Sequence, residues 1–440
     1  MKITIVGAGY VGLVSGACLA DLGSAVCCVE SNPKRLAALR RGVVPIYEPG
    51  LEEMVARNVA AGRLSFSGEL APEVPASDMV FLAVGTPTRA EDGETDLSYV
   101  HAAVGAIAEA AHDGLIIVTK STVPVSTGSE IERNIRRLRP GLRFAVVSNP
   151  EFLREGTAIV DFMKPDRVVI GAEDDWAGDR VAMLYAPLAE RGVPVIRTRR
   201  SSAEVIKYAA NAFLAVKISF VNEMSDFCEA TGADISEVAH AIGLDPRIGR
   251  QFLRPGPGYG GSCLPKDGRA ILQSAAKRSV KLRVIAGAVA ANEARKQAMA
   301  GRVAAALGGE PQGKRVAVLG LAFKPDTDDI RESPALALVP LLQKAGAAVA
   351  VFDPKGMEAA AAVLSGVEWS ADAYACAEGA DAVVLATEWP EFVELDFPRL
   401  AAAMRGRSFV DLRNAVPRER LAAAGLTRFG IGDSRPPAAT

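Results

Sequence analysis

Histidine and paired cysteine are what this chain has least of. Its three histidines, His101, His112 and His240, stand apart from one another and from any cysteine at ligand spacing. A His/Cys zinc site is therefore not expected, no metal is expected at all, and a histidine general base is hard to place. The six cysteines, Cys18, Cys27, Cys28, Cys228, Cys263 and Cys376, contain no Cys-x-x-Cys pair, so neither a disulfide scaffold nor a redox motif is indicated. Charge of one sign is also missing. The formal net charge of -2 gives no footing for a nucleic-acid or membrane surface. No uncharged apolar run reaches the length of a membrane span. The first strand pattern starts directly after Met1, with no leader-like segment, so a cytoplasmic protein is expected. Aromatics make up only 6% of the chain, while alanine is abundant, which favours α/β layers over an all-β fold.

What is present is an alternation of short apolar runs and helical patterns. Runs at 3–6, 25–29, 79–84, 115–118, 144–147 and 167–170 predict a parallel, doubly wound sheet. From about 202 to 231 neither Gly nor Pro occurs, and Val205, Ile206, Phe213, Val216, Phe220, Met224 and Phe227 recur at helical spacing. This predicts a helix about 45 Å long, suited to a spine between domains or to a dimer interface. Further helices are expected at about 267–277 and 282–307. After a linker at 308–313 the α/β pattern restarts, with strands at 315–319, 347–352, 382–386 and 409–412, and a helix from Ser333-Pro334 to about Ala345. The stretch 433–437 reads as frayed. The fold expected is α/β: two Rossmann-like doubly wound domains, 1–199 and 308–440, joined by a long central helix and a helical middle region, 200–307.

Gly7-Ala8-Gly9-Tyr10-Val11-Gly12 follows the first strand and opens a helix. In a dinucleotide fold the first glycine makes the turn, the second admits a pyrophosphate, and the third lets helix and strand pack closely. Glu30 ends the second strand, where a carboxylate hydrogen-bonds a ribose 2′-hydroxyl and repels a 2′-phosphate, so NAD is expected rather than NADP. Arg35 reads as a helix-surface charge. Val84-Gly85-Thr86-Pro87-Thr88 and Lys120-Ser121-Thr122-Val123-Pro124 place hydroxyls at the carboxyl edge of strands, where such sheets bind ligands, although plain turn chemistry explains them equally well.

The most unusual stretch is Gly256-Pro257-Gly258-Tyr259-Gly260-Gly261-Ser262-Cys263-Leu264-Pro265-Lys266-Asp267. Glycines bring a backbone close to a ligand, and Lys266 with a following helix start favours a thiolate at Cys263. The other five cysteines lie in apolar or helical contexts and read as small buried hydrophobes. Lys207 and Asn211 share a helix face; spacing alone reads Lys207 as a solvated surface charge. Asn149-Pro150-Glu151-Phe152-Leu153-Arg154-Glu155-Gly156 offers two carboxylates after a strand.

These stretches, with Glu204–Asn211 by number 204–211 and the segment GLAFKPDTDDIRESP at 320–334, run in order over about 415 residues. Together they resemble the nucleotide-sugar dehydrogenases, and within them those acting on UDP-glucose. The resemblance implies Cys263 as nucleophile in a four-electron oxidation of the sugar C6 alcohol, passing through a thiohemiacetal and a thioester. It implies Glu151 as acid/base on a water positioned by Thr122 and Asp267, and Lys207 and Asn211 as stabilisers of the C6 oxyanion. It assigns Gly7, Gly9, Tyr10, Val11, Gly12, Glu30, Lys34, Thr86, Thr122, Glu155, Lys266 and Arg331 to the cofactor. Phe152, Leu153, Phe252, Tyr259, Gly260, Lys324 and Arg413 fall to the UDP-sugar, Glu155 also lying near the sugar nucleotide. Arg247 matches an arginine lent by a partner subunit, so a homodimer or larger homo-oligomer is implied. Gly320 lacks a second and third fingerprint glycine, which fits a single-nucleotide site better than a second NAD site. The family commonly has glycine where this chain has Ser126, a displacement that Gly128 could absorb. Alternatives are a dehydrogenase of UDP-N-acetylmannosamine or GDP-mannose, against which Tyr259 and the 255–258 lead-in speak. A single-step hydroxy-acid dehydrogenase would leave Cys263 idle, and a silent NAD-binding regulator would have no need of Cys263, Lys207 and Glu151.

Overall fold

The computed structural model describes residues 1–89, 91 and 93–433. The expected fraying therefore falls almost wholly outside the described residues; its first residue, Asp433, is held by Arg418 and Arg428. The chain divides into two compact units, Met1–Ala210 with Ala276–Arg278, and Asn211–Ala275 with Ser279–Thr440.

The first unit is built on eight strands: β1 Lys2–Val6, β2 Ala25–Val29, β3 Leu64–Ser67, β4 Met79–Leu82, β5 Leu115–Thr119, β6 Phe144–Ser148, β7 Val168–Gly171 and β8 Val195–Thr198. Their order is β3-β2-β1-β4-β5-β6-β7-β8. The central strands are apolar on both faces because both faces are covered. In β4, Met79 and Phe81 enter one core while Val80 and Leu82 enter the other, the period of two that a pleated strand imposes. One pairing departs from the expected parallel sheet: β7 meets β6 antiparallel, Ser148 opposite Gly171. Between them the chain spends 149–167 on a loop and one short helix and returns beside β6 instead of crossing over. Strands β3 and β8 escape the apolar-run reading because they lie at the sheet's two ends, where Leu-Ser-Phe-Ser and Val-Ile-Arg-Thr are only half covered.

The second unit carries β9 Arg315–Leu319, β10 Ala348–Phe352, β11 Glu368–Trp369, β12 Ala382–Leu385, β13 Ser408–Asp411 and β14 Thr427–Gly430, all parallel in the order β11-β10-β9-β12-β13-β14. Val316 and Val318 face one core, Ala317 and Leu319 the other.

Seven helices matter to the site. Helix α1, Tyr10–Asp21, follows β1, and α2, Ala158–Met163, follows the loop after β6. Helix α3, Arg200–Thr231, starts two residues before the expected bound and runs unbroken through the division between units. Helices α4 Ile235–Gly243, α5 Leu264–Ala276, α6 Arg283–Ala306 and α7 Pro334–Lys344 follow. Ser333 Oγ accepts the Ala335 N–H to cap α7, as the Ser-Pro pair predicts. No helix among the described residues is long and apolar enough to cross a membrane.

Candidate functional site

In the first unit the glycine fingerprint has the expected local geometry. Gly7 sits at φ 98°, in the left-handed region, and a Cβ on Gly12 would lie 1.8 Å from the Gly7 carbonyl oxygen. Both positions thus require glycine for internal reasons. Gly9 does not: a Cβ there would meet nothing within 4 Å, so its smallness serves something outside the protein's own packing. Tyr10 and Val11 form the first turn of α1, whose N-terminal N–H groups and dipole suit a pyrophosphate. Glu30 is buried just past β2 and accepts the Asn32 N–H at 2.8 Å. Lys34 is exposed at the start of the next helix, which Asn32 caps, and Arg35 is a surface charge as expected. This donor set and the glycine cradle fit NAD.

The carboxyl ends of β5 and β6 hold the unit's charged cluster. Lys207 of α3 donates to Glu151 Oε1 at 2.9 Å, both side chains buried. The solvated-surface reading of Lys207 is thereby overturned, because its face of α3 lies on the first unit and not in water. Glu151 Oε2 also accepts the Leu153 N–H at 2.5 Å. Burial pushes the Glu151 carboxyl up, but the Lys207 charge and hydrogen bond outweigh it and hold the group below its ordinary value. Phe152 lies under two cations, with Arg167 3.7 Å and Lys207 5.5 Å from its ring centre. Thr86 Oγ1 donates to the Thr122 carbonyl at 3.0 Å, tying the two hydroxyl-bearing loops together.

Two features of this unit were not read from sequence. Glu48 is buried and accepts N–H groups from Gly156 at 2.6 Å and Ala158 at 2.7 Å, and the Tyr10 hydroxyl donates to it. One carboxylate thus joins the glycine-loop helix to the end of the 149–156 loop beside Glu155. Lys120, read only as part of a hydroxyl-bearing edge, is itself buried. The Ser126 question is also answered. Ser126 adopts φ 85°, so it holds the glycine-type conformation itself. Gly128 is no displaced substitute, since its missing side chain makes room for Arg200, whose Cδ would lie 2.5 Å from a Cβ there. Glu204 fixes the turn by accepting from Ser126 N at 2.7 Å and Gly128 N at 2.9 Å.

The second unit holds the cysteine loop. Helix α5 begins three residues earlier than expected, and its first bond runs from Asp267 N to the Cys263 carbonyl at 2.9 Å, which puts Cys263 at the helix's N-terminal boundary. Asn211 donates to Asp267 Oδ2 at 2.7 Å, and Lys266 Nζ lies 2.9 Å from Asp267 Oδ1 as an ion pair. The glycine stretch is clamped by side chains from α3 and α6. Asn292 accepts from Tyr259 N at 2.8 Å and donates to Tyr259 O at 3.1 Å, while Asn222 accepts from Gly256 N at 2.8 Å and Arg295 donates to Gly256 O at 3.1 Å. On its other side Gly261 N reaches the Arg331 carbonyl at 2.8 Å, and a Cβ on Gly260 would lie 2.5 Å from the Glu332 carbonyl oxygen. Phe252 is held at φ 62°, a strained conformation for a bulky residue.

Cys263 is unlike its five counterparts, which are all buried. Burial pushes Cys18 and Cys376 up to about 12 and raises Cys27, Cys28 and Cys228. Cys263 is only partly covered and lies 3.5 Å from the Ser262 hydroxyl.

The remaining expected contacts are spread over the second unit. Arg413 donates to the Ala386 and Phe323 carbonyls at 2.6 and 2.8 Å, bracing the carboxyl ends of β12 and β9, and Lys324 lies 5.6 Å from the Phe323 ring centre. Arg331 is exposed and forked onto Asp329 at 2.7 Å. Arg247, with 88% of its side chain exposed, is folded back on Asp245 at 2.6 Å.

Residues 1–189 match the NAD-binding domain of the UDP-glucose/GDP-mannose dehydrogenase family, 201–294 its central domain, and 317–418 its UDP-binding domain. The chain belongs to this family. It is 51% identical to the UDP-glucose 6-dehydrogenase of Rhizobium meliloti over 98% of this chain and 99% of that one. Among solved structures, a UDP-glucose dehydrogenase from Pyrobaculum islandicum superposes with a TM-score of 0.88 at 40% identity, covering 94% of each chain. A UDP-N-acetylmannosamine dehydrogenase from Pyrococcus horikoshii gives 0.87 at 28% identity, covering 99% of this chain and 100% of that one. In this family dehydrogenase the fingerprint at 7–12 and Glu30 lie within the NAD-binding domain, and Lys324 and Arg413 within the UDP-binding domain.

Proposed function

We propose that this dehydrogenase oxidises UDP-glucose at C6 to UDP-glucuronate at the expense of two NAD. The observation that carries the reading is Cys263, the one partly exposed thiol of six, at the start of a helix and at the end of a loop clamped by buried side chains. Bound NAD supplies a hydride acceptor. The chain's residues do the rest. Lys207 and Asn211 stabilise negative charge on the C6 oxygen as the alcohol gives its hydroxyl proton to water, loses a hydride and becomes an aldehyde. The Cys263 thiolate adds to that aldehyde; a C–S bond forms and the carbonyl pair moves to oxygen, which takes a proton. Loss of a second hydride from the same carbon, together with the proton that oxygen had taken, leaves a thioester. Glu151, charged in the resting protein, takes a proton from a water that attacks the thioester; the C–S bond breaks and the thiolate is regenerated. Thr122 and Asp267 position that water.

UDP-glucose is preferred over UDP-N-acetylmannosamine because the relative named for the former is 51% identical and the structure named for the latter 28%. Phe213, Phe220 and Phe227 stand seven residues apart on α3 and are 65%, 47% and 61% exposed. An aromatic stripe of that length calls for a cover, and we assign it to a second copy of the chain, whose site would receive Arg247. The test is stoichiometry: purified enzyme should release two NADH per UDP-glucose consumed, with acid as the product. One NADH with aldehyde accumulating, or no turnover of UDP-glucose, overturns the reading.

A further inference from the structure

Lys120 is a buried lysine with no carboxylate in ion-pairing reach among the described residues. Its ammonium donates to Asn149 Oδ1 at 3.0 Å and the Tyr185 hydroxyl at 3.5 Å, and lies 5.7 and 5.9 Å from the ring centres of Phe162 and Tyr185. The cage is tightly made. Tyr185 donates to the same Asn149 oxygen at 2.5 Å, and Asn149 Nδ2 donates to the Val169 carbonyl at 2.8 Å. A cation taken from water and given only neutral partners is costly, so a structural bolt would be better made from an uncharged side chain.

Its place in the fold suggests what the charge is for. Strands β5 and β6 are parallel neighbours with Thr119 opposite Ser148, so Lys120 and Asn149 leave the same edge side by side, and Glu151 follows two residues later. The titratable groups facing Lys120 are Cys18 from α1, Tyr185, Glu151 and Lys207. Burial raises both the Cys18 thiol and the Tyr185 hydroxyl, which leaves them neutral. Among the described residues, charge facing Lys120 therefore comes from Glu151 and Lys207. Burial pushes the Lys120 ammonium down to about 8, against the pull of Glu151, so it stays charged at neutral pH.

We propose that Lys120 is a positioning residue for the reaction: a second, immobile cation at the strand edge that keeps Glu151 a carboxylate when Lys207 turns from it to the reacting oxygen. Lys207 cannot serve the C6 oxygen and hold Glu151 at full strength together, whereas Lys120 is fixed in its cage by Asn149 and Tyr185. The inference rests on the reading of Glu151 as the base that activates water.

The test uses the full-length enzyme with Lys120→Met and Lys120→Gln as neutral variants and Lys120→Arg as the charge-retaining one. Glu151 acts as a base, so its rate is lost as pH falls through its midpoint, and removing a nearby cation must move that loss to higher pH. In both neutral variants kcat should drop roughly tenfold at about pH 6 and less than about threefold at about pH 9, with KM for UDP-glucose little changed; Lys120→Arg should keep the parent's acid limb. Infrared difference titration of the Glu151 carboxyl, identified by its absence in Glu151→Gln, should show the same upward movement without turnover. A loss equal at all pH values, with that midpoint unmoved, overturns the proposal in favour of a structural role. If neither neutral variant folds, Lys120→Met is made in Glu151→Gln, where the cation has nothing left to balance. Folded protein there supports the coupling, and failure there contradicts it. Absence of UDP-glucose turnover in the parent enzyme would instead sink the functional reading and leave the infrared titration to decide this one.

Discussion

The two parallel sheets share one wiring and differ in what sits at their carboxyl edges. Strands β3-β2-β1-β4-β5-β6 and β11-β10-β9-β12-β13-β14 follow the same order, and each first strand is followed directly by a glycine with φ near +100°, Gly7 at 98° and Gly320 at 101°. Beyond that glycine they part. After β1 come Gly9 and Gly12, with an acidic residue, Glu30, past β2 that accepts one backbone N–H. After β9 come Leu321 and Ala322, both buried. The acidic residue past β10, Asp353, is turned inward: it accepts N–H groups from Leu321 at 2.6 Å, Ala322 at 2.9 Å, Lys355 at 2.9 Å and Gly356 at 2.6 Å, and from the Trp389 ring at 3.2 Å. In the first sheet the proposed NAD site would use the loop N–H groups for a phosphate and the carboxylate for a ribose. In the second the protein's own carboxylate takes up the loop N–H groups. The same topology therefore suits a dinucleotide in one case and not in the other, where we propose Lys324 and Arg413 as contacts of a mononucleotide.

The comparison can be broken most forcefully at Gly12. A methyl group there collides with the Gly7 carbonyl, so Gly12→Ala should weaken NAD binding at least about a hundredfold, roughly 3 kcal/mol, while leaving UDP binding within about twofold; isothermal titration with each ligand reads both. Asp353→Ala should do the converse. Several buried N–H groups lose their acceptor at about 1–3 kcal/mol each, so thermal unfolding should shift down markedly with NAD affinity in surviving folded protein unchanged; a variant as stable as the parent would mean that the second sheet's loop does not depend on Asp353. The smallest effect is expected at Glu30→Ala, which should lower NAD affinity about tenfold and narrow the margin over NADP, since one ribose hydrogen bond and one repulsion are removed. An unchanged NAD/NADP ratio would contradict the role given to Glu30.

How much of this is legible in the sequence follows from where each residue's partners lie. The central strands were legible because both faces are covered and most of their residues are apolar. The end strands β3, β8, β11 and β14 were not, since poorly covered strands carry Ser, Arg, Thr and Glu. The glycine fingerprint is local and could be read directly. Lys207 and Glu151 are 56 residues apart, and no spacing rule joins them; only the family resemblance gave Lys207 a role. Lys120 stood out only as part of the 120–124 edge, and Glu48 and Asn292 gave no signal at all, because a buried Lys, Glu or Asn looks the same in a sequence as an exposed one until the packing is known. Ser126 shows the opposite case, a glycine-type backbone kept although the glycine is gone.

The central claim is that one thiol carries the sugar carbon through both oxidations. The direct measurement is mass spectrometry of the Glu151→Gln variant after incubation with UDP-glucose and NAD, digested under acid. The account predicts a uronyl thioester adduct on the peptide containing Cys263 and none on the peptides of the other five cysteines. An unmodified Cys263 in a variant that has nevertheless released two NADH per sugar would contradict it.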